Sequence, residues 1–477
     1  MKNHFLQAET ALSHFSVSIA DIQQVLQMAL SEGGDYADLF FEDSLSNSLQ
    51  LSDGHVNSVA SGMDFGVGVR VLSGDRTGYA YVENTHLKDL LRAAKTAAAI
   101  AMQDRFTAPM GLDWKAMPRQ YYQSLRAWDS VRVEARMPYL QRLNDRVHAL
   151  DERVSKVVVG LSDGNSRILF ANSEGQVSAD ERPMVSLSVR CILEANGQFE
   201  HGRASRSYRM GYEFLTDELL DVLAKEAVLE ASTLFEAVKP KGGEMPVVFG
   251  SGGSGIFLHE AIGHAFEADF NRKGTSIFSD RLHQKICPSF VNVVDDGTVM
   301  SNRGAVSMDD EGVPGQKTYL VREGVLTSYL HDRISARHYG VDPTGNGRRA
   351  SFRNIPMPRM RATYMEAGQT TEQDLIASVK NGVYVHSFTN GQVQIGAGDF
   401  TFYVKLGYRI ENGQLKEPIR DINIIGNGPA ALADVLAVGS NFELDNGTWT
   451  CGKEGQSCPV TCGMPSALVK TLIVGGE

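Results

Sequence analysis

A chain of 477 residues exceeds the size of one compact core, so two or three domains are expected. Its 42% hydrophobic and 22% charged residues are typical of a soluble globular protein, and its net charge of −11 argues against nucleic-acid binding, which needs clustered lysines and arginines. The amino terminus, MKNHFLQAETALSHF, lacks the apolar core of a signal peptide, and no apolar run approaches the length of a membrane span. We therefore predict a cytoplasmic protein that contacts neither membrane nor nucleic acid.

Residues 1–129 are predicted to form an N-terminal region of hairpins and helices. A helix is expected over 17–33. The segment 36–82 alternates short β-rich runs with Gly, Asp and Asn turns, a pattern that indicates hairpins. An alanine-rich helix follows to about residue 102, and 104–129 mixes proline, glycine and aromatic residues without periodicity, which indicates a connection.

Residues 130–240 are predicted to form a central α+β region. A helix through roughly 130–150, kinked at Pro138, precedes strand-rich sequence at 154–209 and a helix near 216–236. The order from hairpins to a helix thus occurs in both regions, without residue-level identity between them.

The C-terminal region, 241–477, begins within VKPKGGEMP, whose prolines and glycines indicate a boundary. The apolar strand VVFG, the loop SGGSG and a helix carrying HEAIGH follow. Later segments such as LVREGVLTSYL and YRIENGQLKEPI contain Glu-Gly and Asn-Gly hairpin turns. Strands paired through tight turns predict a mainly antiparallel domain, so the predicted fold class of the chain is α+β.

The segment HEAIGH contains the first candidates for chemistry. His259 and His264 are five residues apart, and Glu260 follows the first histidine. On a regular α-helix this spacing directs the two rings about 140° apart. One π-helical turn, with hydrogen bonds from residue i to i+5, would bring them to the same side, and such turns gather at functional sites. We predict a π-bulge here, with Gly263 as the residue that tolerates the distortion.

A metal held by the two imidazoles would give Glu260 a role in catalysis. The ion lowers the pKa of a bound water, and the carboxylate takes the proton and returns it to the leaving amine. A catalytic zinc needs a third protein ligand. Glu267 shares a face with His264, Asp269 does so less readily, and Cys451 is a distant alternative. The residues alone leave this choice open.

The cysteines do not form a disulfide framework, because they are odd in number and irregular in spacing. Three of them crowd into CGKEGQSCPVTC, and in a reducing compartment such thiols are free to bind metal. We expect Cys458 and Cys462 to be small apolar residues. The five cysteines are Cys191, Cys287, Cys451, Cys458 and Cys462.

Six motifs in order, HEAIGHAFEADFNRKGTSIFS, VVDDGT, DDEGVPG, PTGNGRR, PMPRM and LDNGTWTCGKEGQS, resemble the TldD branch of the TldD/PmbA family, also called modulators of DNA gyrase. The resemblance covers nearly the whole chain, most strongly 247–477. It implies a metallopeptidase with His259, His264 and Cys451 as metal ligands and Glu260 as the catalytic carboxylate. Zinc is the implied metal, and ferrous iron also suits two imidazoles and a thiolate.

The resemblance also implies a partner and a substrate class. The family's catalytic subunit retains HExxxH and pairs with a related subunit, PmbA (TldE), which lacks it. A heterodimer is therefore expected, with a homodimer as the alternative. The implied substrates are unfolded or extended polypeptides, which antiparallel strands near the site would accept by edge addition.

Two other functions remain open from the sequence. A non-haem iron oxygenase would use His259, His264 and Glu267 as two histidines and a carboxylate, and a non-enzymatic protein would modulate gyrase by binding. The acidic run 308–312 is predicted to be a turn. Loop arginines that could hold a carboxylate or an oxyanion, and two further histidines, are weaker candidates that ordinary ion pairs or surface positions explain as well: Arg348, Arg349, Arg359, His331 and His338.

Overall fold

The computed structural model describes residues 4–101 and 107–476, and its N-terminal half is a sheet covered by helices. The predicted helix end at 102 and the start of the predicted connection at 104 lie outside these residues. The helices of this half are α1 (Ala8–His14), α2 (Ile19–Ala29), α3 (Leu87–Ala101), α4 (Met137–Leu150) and α5 (Asp217–Leu234). The strands are β1 (Tyr36–Ser52), β2 (His55–Ser73), β3 (Arg76–Val82), β4 (Asp113–Trp114), β5 (Val154–Asn172), β6 (Gln176–Ala195) and β7 (Gln198–Tyr208).

Seven strands form this sheet in the order β3-β2-β1-β5-β6-β4, with β7 paired to β6. β1 and β5 meet antiparallel at its centre, Leu39 opposite Ala171. The same succession lies on either side of this pair, α2-β1-β2-β3-α3 and α4-β5-β6-β7-α5. Strands from 1–129 and from 130–240 therefore share one sheet, and the predicted boundary between these regions stays a prediction.

One glycine in each half lets a helix lie directly on strand backbone. A Cβ on Gly78 of β3 would lie 1.9 Å from the carbonyl oxygen of Ala97 in α3. A Cβ on Gly202 of β7 would lie 1.7 Å from that of Ala227 in α5. No side chain fits at such distances, so both halves join sheet and alanine-rich helix by the same close contact.

The two faces of the sheet have different partners, because side chains alternate along each strand. In β5, Leu169 faces the core under α2 and α3, whereas Phe170 faces the other way. There it packs with Met308 and Phe352 of the C-terminal region. The sheet is therefore enclosed between its helices and the C-terminal region.

The predicted helix over 130–150 begins later than expected. It starts at Met137 and places Pro138 in its first turn. A proline there costs no hydrogen bond, since the first N–H groups of a helix have no partner within it. Pro138 therefore begins the helix, and the predicted kink is wrong.

The C-terminal region is built mainly from short strands. Its helices are α6 (Ile256–Leu258), α7 (Ala268–Arg272), α8 (Arg333–Tyr339), α9 (Glu372–Ala377) and α10 (Gly428–Ala433). Its first strands are β8 (Gly243–Phe249), β9 (Val293–Asp296), β10 (Lys317–Arg322), β11 (Val325–Leu326), β12 (Gly347–Arg348), β13 (Met357–Pro358), β14 (Ala362–Met365), β15 (Asn381–Val393) and β16 (Asp399–Glu411). The remaining strands are β17 (Gln414–Ile419), β18 (Ile422–Asn427), β19 (Val435–Val438), β20 (Glu443–Asp445), β21 (Thr450–Lys453), β22 (Gln456–Pro459), β23 (Thr461–Met464) and β24 (Ala467–Gly475).

Five of these strands close into a ring, β15-β8-β24-β18-β16, because β16 also pairs with β15. β17 extends from β16, and β19 from β24. A six-stranded sheet, β11-β10-β9-β14-β23-β20, shares one hydrophobic core with the ring. Antiparallel pairs predominate in both, and the predicted α+β class is confirmed. Within the described ranges, no helix is long and apolar enough to cross a membrane.

Buried ion pairs join the N-terminal sheet to the acidic run 308–312, which forms the predicted turn. Arg70 of β2 is fully buried and donates to Glu311 over 2.6 Å. Arg182 of β6 donates to Asp310, also over 2.6 Å. The carboxylates of this turn therefore fix the C-terminal region against the sheet, and none of them takes part in the histidine cluster described below.

Candidate metal centre

The segment after β8 contains the predicted π-helical turn. α6 passes at His259 into a π turn that runs to Gly263, and His264 begins the next helical turn. The extra residue rotates His264 back to the side of His259, and the ring centroids lie 5.0 Å apart at 83°. The prediction of a π-bulge is confirmed, and its effect is to bring two imidazoles together.

Gly263 has a different role from the predicted one. Its backbone angles, φ −58° and ψ −51°, are ordinary for a helix. A Cβ at this position would lie 2.3 Å from Sδ of Met360. Space for Met360, rather than backbone freedom, therefore requires glycine, and the predicted reason is wrong.

The third side chain of the cluster comes from a hairpin almost two hundred residues later. β21 and β22 are joined through Glu454 and Gly455, both with positive φ. Cys451 of β21 places its Sγ 3.3 Å from Nε2 of His264. The ligand atoms of His259, His264 and Cys451 all lie within 4.8 Å of one another, and all three residues are buried.

These three donors fit a tetrahedral zinc ion. Nitrogen at about 2.1 Å and sulfur at about 2.3 Å from a tetrahedral ion are about 3.6 Å apart, close to the separation of His264 and Cys451. Two imidazoles and a thiolate are also a donor set that zinc prefers, and a fourth position is left for water or substrate.

The cluster favours a thiolate at Cys451. Burial acts to raise the pKa of this thiol, but hydrogen bonds from His259 and His264 outweigh it and lower the pKa to about 4. Burial likewise acts to lower the pKa of His264, and the charge of Glu267 with the bond to Cys451 raises it well above the ordinary value. The sulfur is therefore in the form that binds metal.

Glu267, the alternative third ligand, lies on the far side of His264. Its Oε2 is 3.0 Å from Nδ1 of the ring, while Nε2 faces Cys451. The carboxylate is fully buried and also accepts from Nζ of Lys453 over 3.0 Å. This position suits a carboxylate that orients the imidazole, not one that shares its ion.

Lys453 was not found by reasoning from the sequence. Its Nζ donates to Glu267, to Asp269 over 2.8 Å and to the Pro358 carbonyl over 3.1 Å. The alternation of side chains along a strand could have indicated it, since Lys453 follows Cys451 by two residues and must face the same side of the strand. Lys453 thus links the hairpin that contains Cys451 to the segment that contains His259 and His264.

The three loop arginines donate hydrogen bonds to backbone carbonyl oxygens. Arg359 donates to the carbonyl oxygen of Cys451 over 2.6 Å and to that of Gln456 over 3.2 Å, which fixes the hairpin. Arg348 donates to the carbonyl oxygens of Met360 and Pro459. Arg349 lies outside the centre and donates to the Asp310 carbonyl over 2.8 Å.

Glu260 is half-buried and lines a cavity of about 140 Å³ together with His259. The cavity lies beside the cluster, because His259 belongs to both, and the Glu260 carboxylate therefore shares this space with one of the three candidate ligands. Cys462 also lines it. Burial, with the negative charges of Asp445 and Glu260, raises the pKa of Cys462 well above its ordinary value, so this thiol stays neutral.

The remaining candidates lie elsewhere. Cys458 is directly opposite Cys451 in the hairpin and accepts a hydrogen bond from Arg359 over 3.6 Å. His331 is buried between the rings of Tyr329 and Tyr339. The exposed residue His338 lies in the last turn of α8. The structure places neither histidine in the cluster.

Three family models match most of the chain. The model described as PmbA/TldA metallopeptidase C-terminal domain matches residues 242–476. Those of metallopeptidase domain 1 and of the central domain match 37–101 and 126–235. The chain thus contains the three domains that define a class of metallopeptidases.

Similar proteins place the chain within that class. A protein from Haemophilus influenzae named Metalloprotease TldD homolog is 38% identical over 98% of both chains, and one of the same name from Buchnera aphidicola is 35% identical over 99% of both. A Saccharolobus solfataricus protein named Zinc metalloprotease TldD homolog is 28% identical over 93% of this chain and 97% of its own. This chain belongs to the TldD/PmbA family.

Solved structures share the fold. A Thermotoga maritima protein described as a candidate modulator of a DNA gyrase matches with a TM-score of 0.78 and 20% identity, over 96% of this chain and all of its own. TldE from Thermococcus kodakarensis matches with a TM-score of 0.72 and 16% identity over the same shares. At these identities the similarity shows the fold alone.

Proposed function

We propose that this chain is the catalytic, metal-binding subunit of a peptidase that hydrolyses unfolded or extended polypeptides. In this proposal His259, His264 and Cys451 hold a divalent metal, zinc in the first place with ferrous iron as the alternative, and Glu260 is the catalytic carboxylate. One observation carries the proposal: three buried ligand atoms from two distant segments converge within 4.8 Å, beside a glutamate that lines a cavity.

The chemistry divides between the metal and the chain. A divalent ion held by His259, His264 and Cys451 would supply Lewis-acid chemistry to a water molecule and the scissile carbonyl. Glu260 follows His259 directly in the chain and lines the cavity, so its carboxylate can accept a proton there and return it to the leaving amine. Glu267 holds the ring of His264 by Nδ1, which keeps Nε2 directed towards Sγ of Cys451.

The strand beside the cavity supports extended polypeptides as substrates. β15 pairs with β8 only over Val383–Val385, and beyond this point that edge has no partner strand among the described strands. Its residues Thr389 and Asn390 are exposed and line the cavity. A peptide added along this edge would form backbone hydrogen bonds, which an unfolded chain provides whatever its sequence.

We propose a PmbA-like (TldE) subunit as the partner, with a homodimer as the alternative, and a cytoplasmic location. The fold shared with a solved TldE structure supports a related partner. An exposed edge does so as well, because β2 pairs with β3 only from Val67 onward, and Val56, Val59 and Met63 before it are more than half exposed. Free thiols at all five cysteines agree with a reducing compartment.

The alternatives have less support. An oxygenase triad needs Glu267 at the ion, and its carboxylate instead contacts the far nitrogen of His264 and the ammonium of Lys453. A gyrase modulator is the description of a protein only 20% identical to this chain.

The test begins with total metal analysis of the purified chain, alone and with a PmbA-like subunit, followed by cleavage of unfolded casein. Glu260→Gln should keep the metal and lower cleavage by about 10²–10⁴-fold, because it removes the proton acceptor. Cys451→Ala should lose both the bound metal and the cleavage of casein. Glu454→Gln, at the exposed tip of the same hairpin, and Cys191→Ala, at a buried thiol in β6, should change neither.

Three results would contradict the proposal. Full cleavage by Glu260→Gln would show that Glu260 is not the catalytic carboxylate. Full metal content in Cys451→Ala would show that Cys451 is not a metal ligand. Metal binding by the wild type without cleavage of any unfolded protein, in either assembly, would leave a metal-binding protein that is not a peptidase.

A further inference from the structure

The cavity beside the cluster has walls of a particular chemistry. Ile256, Val460 and Cys462 are buried and line it, and the indole of Trp449 lines it as well. In the described part of the chain, its lining includes no lysine or arginine. Apart from His259 and Glu260, the surface of this cavity is therefore uncharged, and its buried part is apolar.

Trp449 is held in place from both ends. Its indole N–H donates to Oδ2 of Asp445 over 2.7 Å, and its carbonyl oxygen accepts from the N–H of Val460 over 3.2 Å. Trp449 is half-buried, and because its indole N–H already has a partner, the ring presents an apolar face to the cavity. The cavity therefore has a fixed wall, which is what side-chain selection requires.

The volume matches one side chain of medium size. At about 140 Å³ the cavity is close to an apolar protein cavity of about 150 Å³ that binds benzene. A leucine, methionine or phenylalanine side chain is of that order, whereas glycine would leave the cavity unfilled. An aspartate or glutamate would bring a second negative charge beside Glu260, which lines the same space.

We propose that this cavity receives the side chain of the substrate residue that flanks the scissile bond, and that it selects leucine, methionine or phenylalanine there. Edge addition along β15 then determines the course of the backbone, and the cavity determines where along an unfolded chain the cut falls. This inference rests on the proposed peptidase function, since the cavity is shared with His259 and Glu260.

The experiment has two parts and uses the full chain in whichever assembly is active. Cut positions in unfolded, carboxymethylated casein are read by mass spectrometry. Synthetic peptides that differ only at the flanking residue then give kcat/KM for leucine, glycine and aspartate. Because burying a leucine side chain is strongly favourable, we expect kcat/KM for leucine to exceed that for glycine by about tenfold or more, and that for aspartate to be lower still.

Variants assign the selection to this cavity. Val460→Phe should fill it and lower kcat/KM for the leucine peptide towards that of the glycine peptide, which itself should change little. Trp449→Ala should enlarge the cavity, so that leucine no longer fills it, and should thereby reduce the ratio of kcat/KM for the leucine peptide to that for the glycine peptide. Leu229→Ala, on the exposed face of α5, should leave both values as they are. Urea unfolding of each variant shows whether it is folded.

The outcomes separate the two proposals. No cleavage of any peptide by the metal-loaded wild type would overturn the proposed peptidase function. Cleavage with equal kcat/KM for leucine, glycine and aspartate would overturn the present inference and leave the peptidase in place. A leucine preference that survives in folded Val460→Phe and Trp449→Ala would also overturn it, because the selecting surface would then lie elsewhere.

Discussion

The substitution Glu267→Gln tests most directly whether a buried carboxylate orients His264 for metal binding. The substitution keeps the shape of the side chain and removes a negative charge enclosed by the ring of His264, the ammonium of Lys453 and the guanidinium of Arg359, whose Nε is 4.0 Å from Oε1. All of these groups are buried. Two effects follow, one on metal affinity and one on stability.

Both magnitudes can be worked out from the contacts. Removal of an outer carboxylate from a metal-ligating histidine costs about 10–100-fold in metal affinity. Because the amide oxygen of glutamine can still accept from Nδ1, we expect about tenfold for Glu267→Gln and about 100-fold for Glu267→Ala. Breaking a buried ion pair costs about 3–5 kcal/mol, and the lower end applies because Lys453 keeps Asp269 at 2.8 Å.

Two assays separate the effects. Competition with a chromophoric zinc chelator gives the affinity, and urea unfolding of the metal-free chain gives the free energy of unfolding. Glu417→Gln, which breaks the solvent-exposed pair with Arg409, is the matched control and should change neither. Wild-type affinity in a Glu267→Gln variant that is less stable by about 3 kcal/mol would refute the reasoning, because Glu267 would then be structural only.

Three further predictions concern packing, pH and metal. Gly263→Ala would place a Cβ 2.3 Å from Sδ of Met360 and should lower the free energy of unfolding by about 1–3 kcal/mol, whereas Gly111→Ala, which has open space, should not. Burial lowers the pKa of His331 to about 4. The unfolded chain therefore binds this proton more tightly, and stability is lost as pH falls from about 6.5 to about 4. Between about pH 7 and about pH 5 the wild type should lose about 2 kcal/mol more than His331→Gln in urea unfolding. Zinc at about 100 times its Kd should raise the free energy of unfolding by about 2.7 kcal/mol in the wild type and not in Cys451→Ala.

Each of these has a clear contrary result. Equal stability of Gly263→Ala and wild type would mean that Met360 moves aside freely. The same pH dependence in His331→Gln would assign the loss of stability to other groups. Stabilisation of Cys451→Ala by zinc would show that the metal binds without this sulfur.

The sequence by itself determined the local features. Fold class follows from hairpin turns and alternating strands, and it is confirmed. The π turn also follows from sequence, because histidines five residues apart can face one side only if the helix gains a residue there. The motifs indicated the family, which similar proteins confirm.

Only the tertiary structure decided which distant groups meet. Periodicity placed Glu267 on the face of His264, and it does contact that ring, but at the nitrogen that points away from Cys451. The partners of Lys453 could not be identified from the sequence, because Glu267 and Asp269 lie more than 180 residues earlier in the chain. Spacing along a chain fixes the direction of a side chain only over the few residues of one element. Which elements come together depends on the packing of the whole core, and here that packing joins a hairpin near one end of the chain to a turn in its middle.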